Sequence, residues 1–378
     1  MKKILFLTGT RADFGKLKSL ISAVSELPDF EYAIFVTGMH TLSRYGNTYE
    51  EIYKAGFKNI YMYTNQFQGE PMDLVLANTI NGLSRFMREN RPDMLVIHGD
   101  RVEALAGAIV GALNNILVAH IEGGEVSGTI DESIRHAISK LAHVHFVANE
   151  NAAKRLKQLG EHEDNIFVIG SPDIDIMLSP ELPTLTAVRE RYEIYFDEYA
   201  IVLYHPVTTD LENLPHEVNS MVEALLESGL NYVVIYPNND QGCEYIFEAY
   251  KKFSAHPRFR VFPSLRFEYF LTLLKNARFI IGNSSAGVRE APVYGVPSIN
   301  LGTRQNNRYR YQSILDVPEV DKNRILLSID QALKMNRIEP SFSFGTGNSR
   351  ERFISVLKDE KIWKIPKQKQ FNDLLIGV

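Results

Sequence analysis

The chain has 378 residues, 45% of them hydrophobic and 23% charged, with a formal net charge of −5 and a pI near 6.1. That is room for two domains with packed cores, and it leaves no global basic field for nucleic acid or an anionic membrane, so a bound anion has to be held by local groups. The single cysteine, Cys243, excludes an internal disulfide and a thiolate metal cluster, and reads as an inert thiol in a reducing compartment.

The N-terminal MKKILFLTGTRAD imitates a signal peptide only until Thr-Gly-Thr-Arg interrupts the apolar run, well short of the ~7–15 residues a signal core needs. It reads as a first buried strand, KILFLT (3–8). No apolar run approaches the ~18 residues of a membrane span, so a cytoplasmic protein is expected. Further apolar runs follow as YAIFVT (32–37), NIYMYT (59–64), MLVIHG (94–99), ILVAHI (116–121), VHFVAN (144–149) and IFVIGS (166–171). Segments of helical period separate most of them, notably 71–89 and 101–113. Apolar strands alternating with helices predict a parallel sheet covered on both faces, a doubly wound α/β domain over 1–172. The pattern pauses at GSPDIDIMLSPELPTL (170–185), with its three prolines. It resumes with AIVLYH (200–205), YVVIYP (232–237), RVFPS (260–264), RFIIGN (278–283) and PSINLG (297–302), a second domain of the same class over 173–358. The remainder, 359–378, contains KIWKIPKQKQ and is expected to be a solvated basic tail after the last helix.

Open α/β sheets bind ligands beyond the carboxyl ends of their strands. The polar clusters lie there. GTRADFGKL (9–17) lacks both the G-x-G-x-x-G spacing and a P-loop ending, but offers Arg11 and Lys16 to a diphosphate, unless Arg11 is satisfied by Asp13. His40 in VTGMH and His205 in HPVTTD end strands of the two halves and are candidates for ligand contact. HGDR (98–101) brings Asp100 and Arg101; HIEGGE (120–125) brings Glu122 and Glu125. In TIDESIRH (129–136), Thr129 and Glu132 fit a capping box, and Asp131 and Arg135 are spaced as a helix ion pair. Gly123, Gly124 and Gly128 would let backbone approach a bulky ligand. GNSSAGVREA (282–291) should open a helix whose N–H groups, with Ser284 and Ser285, hold phosphate, while Glu290 could accept a ribose hydroxyl pair. RQNNRYRYQ (304–312) suits a loop carrying Arg304 toward a nucleotide, or an interdomain contact, better than nucleic-acid binding. No His or acid spacing matches a metal site.

Carboxylates on one half and anion-holding groups on the other suit a nucleoside diphosphate sugar. Taken together, GTRADFGKL, HGDR, HIEGGEVSGTIDESIRH, HPVTTD and GNSSAGVREAPVYGVPSINLGTRQ resemble the hydrolysing UDP-N-acetylglucosamine 2-epimerases of sialic acid biosynthesis, over roughly residues 1–360. The resemblance implies a GT-B-like fold, two Rossmann-like domains around a cleft, with the final helix packing back on the first domain. It implies that UDP-GlcNAc and water become N-acetylmannosamine and UDP, by anti elimination to 2-acetamidoglucal and syn hydration, with no metal or nicotinamide cofactor. It makes Asp100, Glu122 and Asp131 the catalytic acids, with Asp131 and Glu122 as the preferred acid/base pair. His205 becomes a diphosphate contact that also helps the leaving group. Arg11, Lys16, Arg101, Ser284, Ser285, Glu290 and Arg304 become nucleotide or phosphate contacts, and Asn238 and the backbone near Leu265 border the uridine. Non-hydrolysing relatives carry a Pro-Glu-Glu run where this chain reads Thr-Ile-Asp-Glu, which favours hydrolysis. The alternatives are a 2-epimerase acting on UDP-2,4-diacetamido-2,4,6-trideoxyglucose, a GT-B glycosyltransferase, and a non-catalytic nucleotide-sugar sensor. A homodimer is the expected assembly by base rate.

Overall fold

The computed structural model describes residues 1–373. The first sheet contains β1 (Lys2–Thr8), β2 (Phe30–Val36), β3 (Ile60–Met62), β4 (Met94–His98), β5 (Leu117–Ile121), β6 (Val144–Val147) and β7 (Ile166–Val168), in the order β3-β2-β1-β4-β5-β6-β7. The second contains β8 (Ala200–Leu203), β9 (Tyr232–Ile235), β10 (Phe259–Phe262), β11 (Ile280–Gly282), β12 (Ser298–Leu301) and β13 (Ile314–Val317), in the order β10-β9-β8-β11-β12-β13. Every neighbouring pair is parallel. These are two GT-B-like parallel-sheet α/β domains. Each sheet reverses its winding once, between β1 and β4 and between β8 and β11.

The continuous apolar runs follow from burial on both faces. Ile4, Phe6, Ile34 and Val96 face a core built with helix Arg11–Ser25. Leu5, Leu7, Phe35 and Leu95 face helices Met72–Glu89 and Val102–Leu113. All twelve expected strands are present, most of them shortened, while β1 and β2 begin one and two residues earlier than expected. β13 escaped the sequence reading because it is an edge strand of mixed polarity, in which Asp316 accepts a hydrogen bond from Asn300 (2.8 Å). No helix among the described residues is long and apolar enough to cross a membrane.

Helix Ser349–Lys358 packs on the first sheet, burying Phe353 against Phe146 at 4.9 Å between ring centroids. Its start is tied to the interdomain segment, where Asp175 accepts from the Ser349 N–H (3.0 Å), the Ser349 hydroxyl (2.7 Å) and the Arg350 N–H (2.9 Å).

The residues after this helix are docked rather than freely solvated. Lys369 Nζ donates to the carbonyls of Lys140 (2.9 Å) and Ala142 (2.6 Å), at the C-terminus of helix Ile130–Leu141, and pairs with Glu161. A cation there satisfies orphan carbonyls and complements the helix dipole. Burial works against ionisation of Glu161, but His145 and the lysines Lys140 and Lys369 outweigh it, bringing its pKa from the ordinary 4.5 to about 2. Residues 374–378 lie outside the described residues.

Replacing Lys369 by methionine should lower the thermal unfolding midpoint at neutral pH by a few degrees, the result of losing about 1–3 kcal/mol. A group whose pKa is depressed on folding adds stability above its unfolded value and loses it as pH falls through the folded one. The gap between wild type and variant, followed by circular dichroism, should therefore shrink from about pH 4.5 toward about pH 2.

Candidate active site

The two winding reversals face one another across a cleft of about 300 Å³. From the first domain come the loops after β1, β4 and β5, bearing Arg11, Asp100 and Glu122; from the second come the loops after β8 and β11, bearing His205 and Ser284. Placement beyond the strand ends follows the rule for open parallel sheets. Gly282 has φ +141°, and a Cβ there would lie 2.0 Å from the Leu203 carbonyl oxygen, so glycine alone lets β11 turn beside β8.

Three cleft carboxylates are each fixed by cations. Glu122 leaves β5 with φ +71°, a conformation that non-glycine residues adopt at a cost and that often marks functional positions. Its Oε1 meets Arg289 Nη2 at 2.6 Å and Lys16 Nζ at 3.0 Å. Burial opposes ionisation of Glu122, but Arg289 and Lys16 hold its pKa well below the usual carboxylate range. Arg289, also buried, grips Glu125 through Nη1 (2.5 and 2.6 Å) and donates to the Ser171 hydroxyl (2.6 Å). Asp100 pairs with the fully buried Arg135, whose Nη1 donates to the Glu125 carbonyl (3.2 Å). Asp131, in the first turn of helix Ile130–Leu141, accepts from Arg304 Nη2 of the second domain at 3.0 Å.

The second domain supplies oriented donors. His205 Nδ1 accepts from the Asn238 N–H (3.1 Å), which leaves the proton of the neutral ring on Nε2. Burial, then Arg304 and Arg101, push its pKa well down, so it stays a neutral donor. Ser284, Ser285, Asn238, Leu265 and Arg304 also line the cleft. Arg101 lies 3.3 Å from Glu103 and 3.5 Å from Asp240, and Arg11 donates to the Ser264 hydroxyl (2.8 Å) rather than pairing with Asp13.

Several expectations need correction. His40 does not line the cleft; it is buried, with Nε2 3.0 Å from the Thr8 hydroxyl and Nδ1 2.8 Å from the Thr48 hydroxyl, and burial pushes its pKa down to about 3. Lys16 lines the cleft, but its charge is already shared by Glu122 (3.0 Å), Asp173 (3.3 Å) and Glu290 (3.6 Å), so it is no free phosphate cation. Glu290 lines the cleft with Oε2 unpartnered, and burial pushes its pKa up. The helix expected after Ser284 is only a 3-10 turn, Ser285–Gly287, followed by the one-turn Glu290–Val293, so no strong helix dipole faces the cleft. The capping box is not made: the Thr129 hydroxyl has no partner, and Glu132 accepts instead from the Ser127 N–H (2.5 Å). Asp131 and Arg135 choose different partners. The glycines admit protein rather than ligand; a Cβ on Gly124 would meet the Ala152 oxygen at 2.2 Å, and one on Gly128 the Thr303 oxygen at 2.0 Å.

Sequence reasoning missed Arg289, Asp173 and Arg308, whose meaning depends on partners more than a hundred residues away in three of their contacts with Glu122, Glu125 and Lys16. One signal was available: Arg289 sits in a largely apolar stretch, GVREAPV, and an arginine buried there requires acidic partners. Among the described residues, no group of three or more His, Cys, Asp or Glu is placed to hold a metal ion.

The sequence profile of the family described as UDP-N-acetylglucosamine 2-epimerase matches residues 22–358. The chain is 51% identical over 377 residues to a protein of Neisseria meningitidis serogroup B named UDP-N-acetylglucosamine 2-epimerase, covering 99% of this chain and 100% of the relative. It is 35% identical over 362 residues to the UDP-N,N'-diacetylbacillosamine 2-epimerase (hydrolyzing) of Legionella pneumophila, covering 95% and 96%. A crystal structure of UDP-GlcNAc 2-epimerase from Methanocaldococcus jannaschii, in complex with UDP-GlcNAc and UDP, superposes with a TM-score of 0.79 at 21% identity, covering 94% of this chain and 99% of that one; this likeness concerns the fold.

Removing Arg289 strips Glu122 and Glu125 of their shared cation. Arg289→Leu should cost about 3–5 kcal/mol, because it leaves Glu122 and Glu125 buried with only Lys16 and Arg308 to offset them. Arg289→Lys should fall between the leucine variant and wild type, since one ammonium cannot fork to both acids. Chemical denaturation of the three proteins checks the ranking.

Proposed function

The chain belongs to the UDP-N-acetylglucosamine 2-epimerase family, and from that premise we propose that it hydrolyses UDP-GlcNAc to N-acetylmannosamine and UDP. The carrying observation is the opposition of Asp100, Glu122 and Asp131 on one domain to His205 and the Ser284–Ser285 turn on the other, across one cleft. The C2 proton of the sugar is not acidic, so its removal must be coupled to departure of UDP, with positive charge building at the anomeric carbon. A fixed anion stabilises that charge, and Glu122, held ionised by Lys16 and Arg289, is suited to it. Asp131 has one arginine partner and a side chain 21% exposed, against 6% for Glu122, which suits it to proton transfer with water at hand. His205, a neutral donor at Nε2, assists the leaving diphosphate together with Arg304 and the two serines. Anti elimination then yields 2-acetamidoglucal, and syn hydration inverts C2.

Two features support hydrolysis over return of an intact nucleotide sugar: the Thr-Ile-Asp-Glu helix start, and the hydrolysing activity named for the Legionella relative. In this reading the enzyme works in the cytoplasm as a homodimer, without a metal or nicotinamide, at the first step toward sialic acid. That same relative's name favours a second reading, in which the sugar is the 2,4-diacetamido analogue; rates on both substrates decide between them.

In heavy water with EDTA present, NMR should show free N-acetylmannosamine deuterated at C2, plus UDP, with no acceptor added. Intact UDP-GlcNAc after long incubation with folded, UDP-binding protein would overturn the reading. Asp131→Asn should keep UDP affinity within about threefold while turnover falls about 10²–10⁴-fold, as when a general acid or base is lost; isothermal titration and the NMR assay report the two quantities.

A further inference from the structure

Inversion at C2 sets a requirement on the proposed reaction. The proton leaves one face of the sugar and a proton returns on the other, so two proton-transfer groups must flank that carbon. Asp131 meets the requirement for one face. Glu122 is poorly suited to the other, because a carboxylate gripped by both a guanidinium and an ammonium is a weak base and has no proton to give.

His98 is the last residue of β4, and its strand partner across the sheet is Ile121. That register places it beside Glu122, the next residue along the neighbouring chain. The side chain is 6% exposed and lines the cleft. Its Nε2 is buried without a hydrogen-bond partner, 3.4 Å from Glu122 Oε1. A buried ring nitrogen without a well-formed hydrogen bond costs about 1–3 kcal/mol, and such groups are kept where function uses them. Hydrogen bonds of this kind are often long before substrate tightens the site.

We propose that His98 is the second proton-transfer residue, acting at C2 opposite Asp131, with Glu122 as its fixed counter-charge. This rests on the hydrolysing reading above. In elimination, the Asp131 carboxylate takes the C2 proton, the C1=C2 bond forms, and the C1–O bond breaks with its electrons leaving on UDP. Asp131 then gives that proton to solvent. In hydration, the imidazolium of His98 protonates C2 on the face vacated by UDP. The C=C electrons form the new C–H bond, water adds to C1 on the same face, and the proton lost by that water returns to His98. Glu122 stabilises the imidazolium between these events.

The assignment separates the two half-reactions. His98→Gln and His98→Asn should still eliminate UDP, but should accumulate 2-acetamidoglucal, with N-acetylmannosamine formation falling at least about 100-fold. Offered synthetic 2-acetamidoglucal and UDP in heavy water, wild type and Asp131→Asn should make C2-deuterated N-acetylmannosamine, whereas the His98 variants should not. The inference is overturned if a folded, UDP-binding His98 variant hydrates the glucal at the wild-type rate, or if it loses elimination and hydration equally. If wild type itself leaves UDP-GlcNAc intact, the functional reading fails, and that result is distinct from either outcome for the variants.

Discussion

The Arg289 guanidinium, buried between Glu122 and Glu125, is the contact on which the rest of the cleft depends. It comes from the second domain and both acids come from the first, so one residue couples domain position to the charge state of the site. Desolvating an arginine is costly unless its donors are engaged, and here both terminal nitrogens are, while Nε is buried without a partner. The wider cluster holds three cations, Lys16, Arg289 and Arg308, against four carboxylates, Glu122, Glu125, Asp173 and Glu290. The imbalance is eased at Glu290, where burial pushes the pKa up and so favours the neutral form.

This accounting divides labour among acids that look alike in sequence. Glu122 and Asp131 both follow strands on the same side of the sheet, yet one is gripped by two buried cations and the other by one partly exposed arginine. The first is held as a buried, doubly paired charge and the second keeps contact with solvent, and differences of environment of this kind are what let like side chains take different roles in one site. The left-handed backbone at Glu122 belongs to the same design, since it turns the carboxylate back toward Lys16 and Arg289 instead of continuing the strand.

How much of this was legible in sequence follows from range. The strands were legible because burial on both faces writes a continuous apolar run into local sequence, and the polar clusters were legible because parallel topology forces ligands to strand ends. β13 was not, since an edge strand carries Asp316 without penalty. Local rules also misled. The Thr129–Glu132 spacing satisfies a capping box and the Asp131–Arg135 spacing a helix pair, but Ser127, Arg304 and Asp100 offer better partners once the chain is folded. His40 and His205 both end strands; only the second faces the cleft, and no local pattern distinguishes a histidine turned inward to two threonine hydroxyls.

The glycines show the same limit from the other side. Their spacing in EGGEVSG correctly marks a place of close approach, but what approaches is the chain itself. The Gly128 N–H donates to the Arg304 carbonyl at 3.0 Å, and the Thr303 oxygen fills the space a side chain would need. That contact holds the stretch of chain that carries Arg304 beside the loop, where the Arg304 guanidinium reaches Asp131 at 3.0 Å. At the far end of the same helix, Lys369 binds the last carbonyls. Helix Ile130–Leu141 is thus fixed at both ends by residues remote in sequence, one from the second domain and one from the chain terminus, which is how a short helix can hold a single carboxylate steady at an interdomain cleft.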